Sequence, residues 1–217
     1  MIAGVIFDLD GVLLDSEPVW EDVRRGLVTE AGGTWTPEAQ RRLMGMNTRE
    51  WAKFLSRDLG SGFDPETTAA VVIDRMRARY RSFLPLLPGA QDGVRLLGQR
   101  WPLAVASSSP LELINAVLDF SGLSAFFSAV VSSDDVERGK PAPDVYLRAC
   151  DTLGAPAAAS VAIEDSTNGL RAALAAGMHV IAIPQPSNPA DPDVVARADL
   201  VLDSVSELTA DLVERLG

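Results

Sequence analysis

Six short apolar runs constrain this chain more than any other feature: residues 4–7, 103–106, 129–131, 161–163, 180–183 and 200–202. They carry β-branched residues with little polar alternation, as strands covered on both faces do. Helix-length segments separate most of them. Ser109-Pro110-Leu111-Glu112 has the form of a helix start, with Ser109 as cap, proline in the first turn and Glu112 closing the box. That helix is expected to end near Gly122. Ala142-Pro143-Asp144 opens another helix that ends near Gly154, and residues 167–176 form a third, capped by Gly177. Residues 205–216 read as a terminal amphipathic helix. Strands alternating with helices predict an α/β fold with a doubly wound parallel sheet, Rossmann-like in arrangement.

One region breaks the alternation. Residues 16–86 hold helical patterns and no convincing strand: Val19, Val23, Leu27 and Ala31 recur every four residues beside Trp20. Thr36-Pro37, Thr48 and Asp64-Pro65 each have the form of a helix start. The expected organisation is a core of residues 1–15 and 87–217, with a helical cap of residues 16–86 inserted on hinges at 12–17 and 84–89. A helical elaboration packed on the sheet is the competing arrangement.

A chain of 217 residues with 47% hydrophobic content can bury a substantial core without disulfides. The one cysteine, Cys150, has helical spacing and reads as a core residue in a reducing compartment. The net charge of −11 argues against nucleic acid and anionic membranes as partners. An anionic substrate therefore needs a local positive site. No apolar run approaches the ~20 residues of a membrane span, and acids appear by Asp8, so a cytoplasmic monomer is expected.

Chemistry is concentrated where the strands should end. Val5-Ile6-Phe7-Asp8-Leu9-Asp10-Gly11 sets two carboxylates two residues apart after an apolar run. Open α/β sheets bind ligands in the crevice beyond the carboxyl ends of their strands. Two acids crowded there repel each other unless a cation or shared proton intervenes. This suggests Mg²⁺, a nucleophilic carboxylate and a second carboxyl for proton transfer. Read alone, D-x-D-G is equally a strand-end turn with solvated acids. Ser107-Ser108-Ser109 puts hydroxyls at a strand end before a helix, where backbone N–H groups favour phosphate; alone it is a plain capping cluster. Gly139-Lys140-Pro141 holds a lysine in a rigid turn, able to neutralise phosphate charge. Val161-Ala162-Ile163-Glu164-Asp165 ends another strand with two acids that can complete a hard-cation site. Four such features on separate strand–helix units converge on one sheet edge.

These four features resemble the four motifs of the haloacid dehalogenase superfamily of phosphotransferases: Asp8-Leu9-Asp10-Gly11-Val12, Ser107, Lys140 in Gly-Lys-Pro, and Glu164-Asp165. The match spans nearly the whole chain, and a helical insertion after the first motif is similar to the family's C1-type cap. Asp10 separates the chain from the dehalogenases proper and from phosphonate hydrolases of the family. Asp15-Ser16-Glu17-Pro18 with Trp20 resembles the small sugar-phosphate and polyol-phosphate phosphatases and the β-phosphoglucomutases. The resemblance implies that Asp8 forms an aspartyl-phosphate and that Asp10 is acid and base. It implies Mg²⁺ held by Asp8, the Asp10 carbonyl and Asp165, with Glu164 in or next to that shell. Ser107, the Ser108 amide and Lys140 are implied to hold phosphate oxygens. Glu17 and Arg49, the latter in Gly45-Met46-Asn47-Thr48-Arg49, are the candidate substrate contacts beyond the core. Arg75, Arg77 and Arg79 read as a solvated face, and Trp20, Trp51 and Phe54 as cap core. Trp20 stands where a mutase carries histidine, so the expected substrate is a small phosphomonoester that loses its phosphate to water. A mutase is the alternative, and a non-catalytic phosphoacceptor, as in receiver domains, is the reading from another class.

Overall fold

The computed structural model describes residues 1–43 and 46–217. Six parallel strands form one sheet: β1 (Gly4–Phe7), β2 (Leu103–Ser107), β3 (Phe127–Ser132), β4 (Ser160–Glu164), β5 (His179–Ala182) and β6 (Leu200–Val201), in the order β3-β2-β1-β4-β5-β6. The order reverses beside β1, so the crevice between the carboxyl ends of β1 and β4 is the topological switch point. Strand periodicity divides the core. Val5, Phe7, Val105 and Ile163 face one cluster, while Ile6, Ala104, Ala106 and Ala162 face the other. Alanines predominate among the strand residues of the second face.

Helices α1 (Glu17–Glu30), α2 (Pro37–Leu43), α3 (Thr48–Arg57) and α4 (Pro65–Ser82) form the segment between β1 and the rest of the sheet. Asn47 and Asp64 cap α3 and α4 through side-chain oxygens, and Asn47 forms a capping box with Glu50. The outgoing and returning chains pair: the Leu87 amide donates to the Leu13 carbonyl at 2.9 Å and the Asp15 amide to the Pro85 carbonyl at 2.9 Å. Trp51 and Leu55 are buried among the four helices. Arg75 and Arg79 pair on the outside with Glu30 and Asp22. Cys150 is buried.

After the return come α5 (Ala90–Gly98), α6 (Leu111–Ser121), α7 (Asp144–Leu153), α8 (Thr167–Ala175), the short α9 (Pro192–Val195) and α10 (Ala210–Glu214). Two expectations are corrected. Ser109 does not cap α6, because the helix begins after Pro110 and the Ser109 hydroxyl is engaged elsewhere. Residues 205–216 are not one helix: a 3-10 turn, Val205–Glu207, precedes α10, and Thr209 caps α10 between them. No helix among the described residues is long and apolar enough to cross a membrane.

Candidate active site

Asp8 directly follows β1, and its amide continues the ladder by donating to the Ile163 carbonyl at 2.9 Å. Its side chain is buried at the switch point. Lys140, from the loop before α7, reaches the same place. Its ammonium donates to Asp8 Oδ1 at 2.7 Å, Glu164 Oε1 at 2.6 Å and the Ala106 carbonyl at 3.0 Å. An ammonium has three donors, so all are used. The Lys140 side chain is only 4% exposed, which sets aside a solvated loop lysine.

Glu164 is the residue on which most donors converge. Oε1 accepts from Lys140 and from the Tyr146 hydroxyl at 3.0 Å. Oε2 accepts from the Asp165 and Ser166 amides at 2.9 and 3.0 Å and from the Ser166 hydroxyl at 3.1 Å. Gly169 makes this possible: a Cβ there would lie 1.6 Å from Glu164 Oε1. Asp165 differs. It is buried, and its Oδ1 has no hydrogen-bond partner among the described residues. Gly11, in the left-handed region with φ +85°, lets the turn approach it; a Cβ there would lie 2.1 Å from Asp165 Oδ2. Gln185 clamps that turn by donating to the Gly11 carbonyl at 2.7 Å.

The acids test whether a cation fits. Asp8, Glu164 and Asp165 each offer an oxygen within 4.8 Å of the others. Burial pushes the Asp8 carboxyl up to about 8; Lys140 opposes this, and Glu164 and Asp10 add to it. Burial, then Glu164 and Asp8, push Asp165 well above the usual carboxylate range. Lys140 is raised despite its burial, because Asp8 and Glu164 surround it. An orphaned buried oxygen and carboxylates short of positive charge suit a hard divalent cation. With Glu164 saturated by five donors, Asp8 and Asp165 have the free capacity.

Asp10 faces the cleft from the turn after β1. Oδ1 accepts from the Ser16 hydroxyl at 2.5 Å and the Trp20 indole at 3.4 Å. Oδ2 accepts from the Ser109 hydroxyl at 2.7 Å and the Ser107 hydroxyl at 3.4 Å. Ser107 is buried at the end of β2, and Ser108 lines the cleft beside it. The cleft encloses about 850 Å³, its open mouth included, between the sheet edge and the helical segment.

Of the residues singled out from the sequence, Asp8, Asp10, Ser107, Ser108, Lys140, Asp165 and Glu17 line this cleft, and Glu164 lies behind it. Arg49 does not; it is exposed on α3. Of its loop, Gly45 lies outside the described residues, Met46 lines the cleft, and Asn47 lines a recess beside Ser108. Trp20 and Trp51 are both core residues and cleft wall, whereas Phe54 is core. Sequence reasoning missed Tyr146, Ser109, Gln185 and Arg24. Ser109 lay inside a run of hydroxyls already singled out; Tyr146 and Arg24 sit on helices where spacing marks them as ordinary facing residues.

A haloacid dehalogenase-like hydrolase family model matches residues 2–177. "Hexitol phosphatase B" of Escherichia coli strain K12 is 34% identical over 215 residues, covering 96% of this chain and 95% of that protein. "Fructose-1-phosphate phosphatase YqaB" of the same strain is 32% identical over 179 residues, covering 82% and 95%. Among solved structures, CbbY from Rhodobacter sphaeroides in complex with phosphate superimposes with a TM-score of 0.88 at 28% identity, covering 99% of this chain and all of that one.

Proposed function

This chain belongs to the haloacid dehalogenase-like hydrolases, and from that premise we propose that it is a Mg²⁺-dependent phosphatase of a small sugar or polyol phosphate. One observation carries the reading: Lys140 bridges Asp8 and Glu164 at a sheet edge where Asp165 keeps an unpartnered oxygen. A fixed ammonium beside a carboxylate, next to an acid oxygen with no partner of its own, forms a receptor for a dianionic phosphoryl group.

In this proposal Lys140 holds one carboxylate oxygen of Asp8, and the other attacks phosphorus in line. The Asp8–phosphorus bond forms as the ester bond breaks. Asp10, held between Ser16 and Ser109, gives its proton to the departing alkoxide. It then takes a proton from the water that releases phosphate from Asp8. Ser107, the Ser108 amide and Lys140 are the donors proposed for the phosphoryl oxygens. Asp8, Asp165 and the Asp10 carbonyl would hold Mg²⁺, which when bound neutralises the crowded acids and phosphoryl charge. The helical segment of residues 16–86 is proposed to cover the reaction and exclude water.

Purified protein assayed with Mg²⁺ against a panel of phosphomonoesters, β-glucose 1-phosphate included, tests this. Phosphate release that disappears with EDTA is the expected result. Conversion of β-glucose 1-phosphate to glucose 6-phosphate without net phosphate release would assign a mutase. Absence of both would assign a non-catalytic phosphoacceptor.

A further inference from the structure

The cleft wall from the helical segment contains a buried cation with no role in the chemistry above. Arg24, on α1, is 5% exposed, yet it lines the same cleft as Asp8 and Lys140. Its guanidinium lies 4.3 Å from the Trp20 ring centroid and 5.4 Å from that of Trp51, and the two rings sit 6.0 Å apart at 60°. Its buried Nε has no hydrogen-bond partner among the described residues. Burying a guanidinium is costly, and burial lowers its pKa to about 10, so it stays charged at neutral pH. Stacking on two indoles recovers part of that cost and fixes the planar fork.

We propose that Arg24 is the specificity-determining residue for the leaving group, its fork donating to hydroxyls of a neutral polyhydroxylated alcohol. The proposal rests on the phosphatase reading above and narrows it. Charge in the cleft selects the neutral class. The carboxylates acting on Arg24 are those of Glu17 and Asp10; both line the cleft, so a second anionic group would meet them as well as the arginine. A hydroxyl both donates and accepts. Adjacent hydroxyls can therefore accept from Arg24 and donate to Glu17, while the carbon face of the alcohol lies against Trp20 and Trp51. A site built to bond hydroxyls discriminates strongly against compounds that lack them.

The test compares phenyl phosphate, a hexitol monophosphate and a hexose bisphosphate with the unchanged protein and with Arg24→Met and Arg24→Lys. The ratio of kcat/KM for the hexitol phosphate to that for phenyl phosphate is expected to fall on the order of 10- to 100-fold in Arg24→Met, as loss of a charged donor implies. A smaller fall is expected in Arg24→Lys, which keeps the charge but not the fork. The unchanged protein is expected to prefer the monophosphate to the bisphosphate. A ratio unchanged in both variants, or a preference for the bisphosphate, overturns the proposal, and the second needs no variant to fold. Calorimetric titration of the hexitol phosphate into Asp8→Asn, with and without Arg24→Met, reads the same contact without turnover; equal affinities overturn it. Failure of the unchanged protein to hydrolyse any of the three esters counts against the phosphatase reading, and the titration still decides on Arg24.

Discussion

Glu164 holds Lys140 in place: the ammonium lies 2.6 Å from Glu164 Oε1, on a carboxylate that four further donors also reach. Glutamine in its place offers one oxygen and an N–H₂ group. Either the lysine and tyrosine, or the two amides and Ser166, would then face another donor. Glu164→Gln is therefore expected to destabilise the fold by about 1–3 kcal/mol and to lower turnover, because Lys140 loses one of its two anions. Urea unfolding and a phosphate-release assay measure both, and an unchanged midpoint would contradict the packing argument.

Asp8→Asn separates chemistry from stability. The amide oxygen can still accept from Lys140, but an amide is not a nucleophile. Turnover is expected to fall by on the order of 10⁴-fold or more. Burial already disfavours the Asp8 charge, so without divalent cation the variant should unfold no earlier than the unchanged protein. Residual activity near that of the unchanged protein would remove Asp8 from the nucleophile's role.

The strand–helix alternation was legible because buried parallel strands have a local signature, and Asp8, Ser107 and Asp165 follow from where those strands stop. The function of Gly169 was not legible. Its missing Cβ matters only because Glu164 folds back over the start of α8, a contact that spacing does not encode. Tyr146 is similar: its register on α7 marks a core residue, and only the position of Glu164 gives its hydroxyl a partner. Ser109 misled for a physical reason. A serine before proline has the form of a helix cap, but Asp10 competes for the same hydroxyl and wins it. Arg49 and Arg24 show the limit of reading helices: both are arginines on amphipathic segments, and only the packing of α1 against α3 separates the exposed one from the buried one.

Ser109 is expected to act through Asp10. Ser109→Ala removes the 2.7 Å donor to Asp10 Oδ2 and leaves the weaker 3.4 Å contact from Ser107. The carboxyl then has one well-formed donor, Ser16. A loss in kcat of roughly 10-fold follows from one hydrogen bond, with KM nearly unchanged. Ser109→Thr, which keeps the hydroxyl, should restore most of the rate. Equal loss in kcat and gain in KM would indicate a damaged cleft instead.

Metal and pH should act on stability together. The Asp8 carboxyl titrates near 8 in the folded protein against an ordinary value of 3.8, and Asp165 is raised as well. Between those limits the folded chain holds protons that the unfolded chain has released. Stability from this source is complete below about pH 4 and is lost as pH rises through 8. The acids shifted the other way are the exposed Glu30 and Asp64 and the half-buried Asp144, and they titrate at lower pH, so they do not offset it in this window. In EDTA the Tm is expected to fall from pH 5 to pH 9. Mg²⁺ favours the ionised acids and should raise the Tm, most at the alkaline end, which flattens the slope. Thermal unfolding followed by circular dichroism across that range measures it. A Tm that rises with pH in EDTA would overturn the raised Asp8 and Asp165 carboxyls, and a Tm that Mg²⁺ leaves unmoved at pH 9 would mean that the two acids do not share a cation.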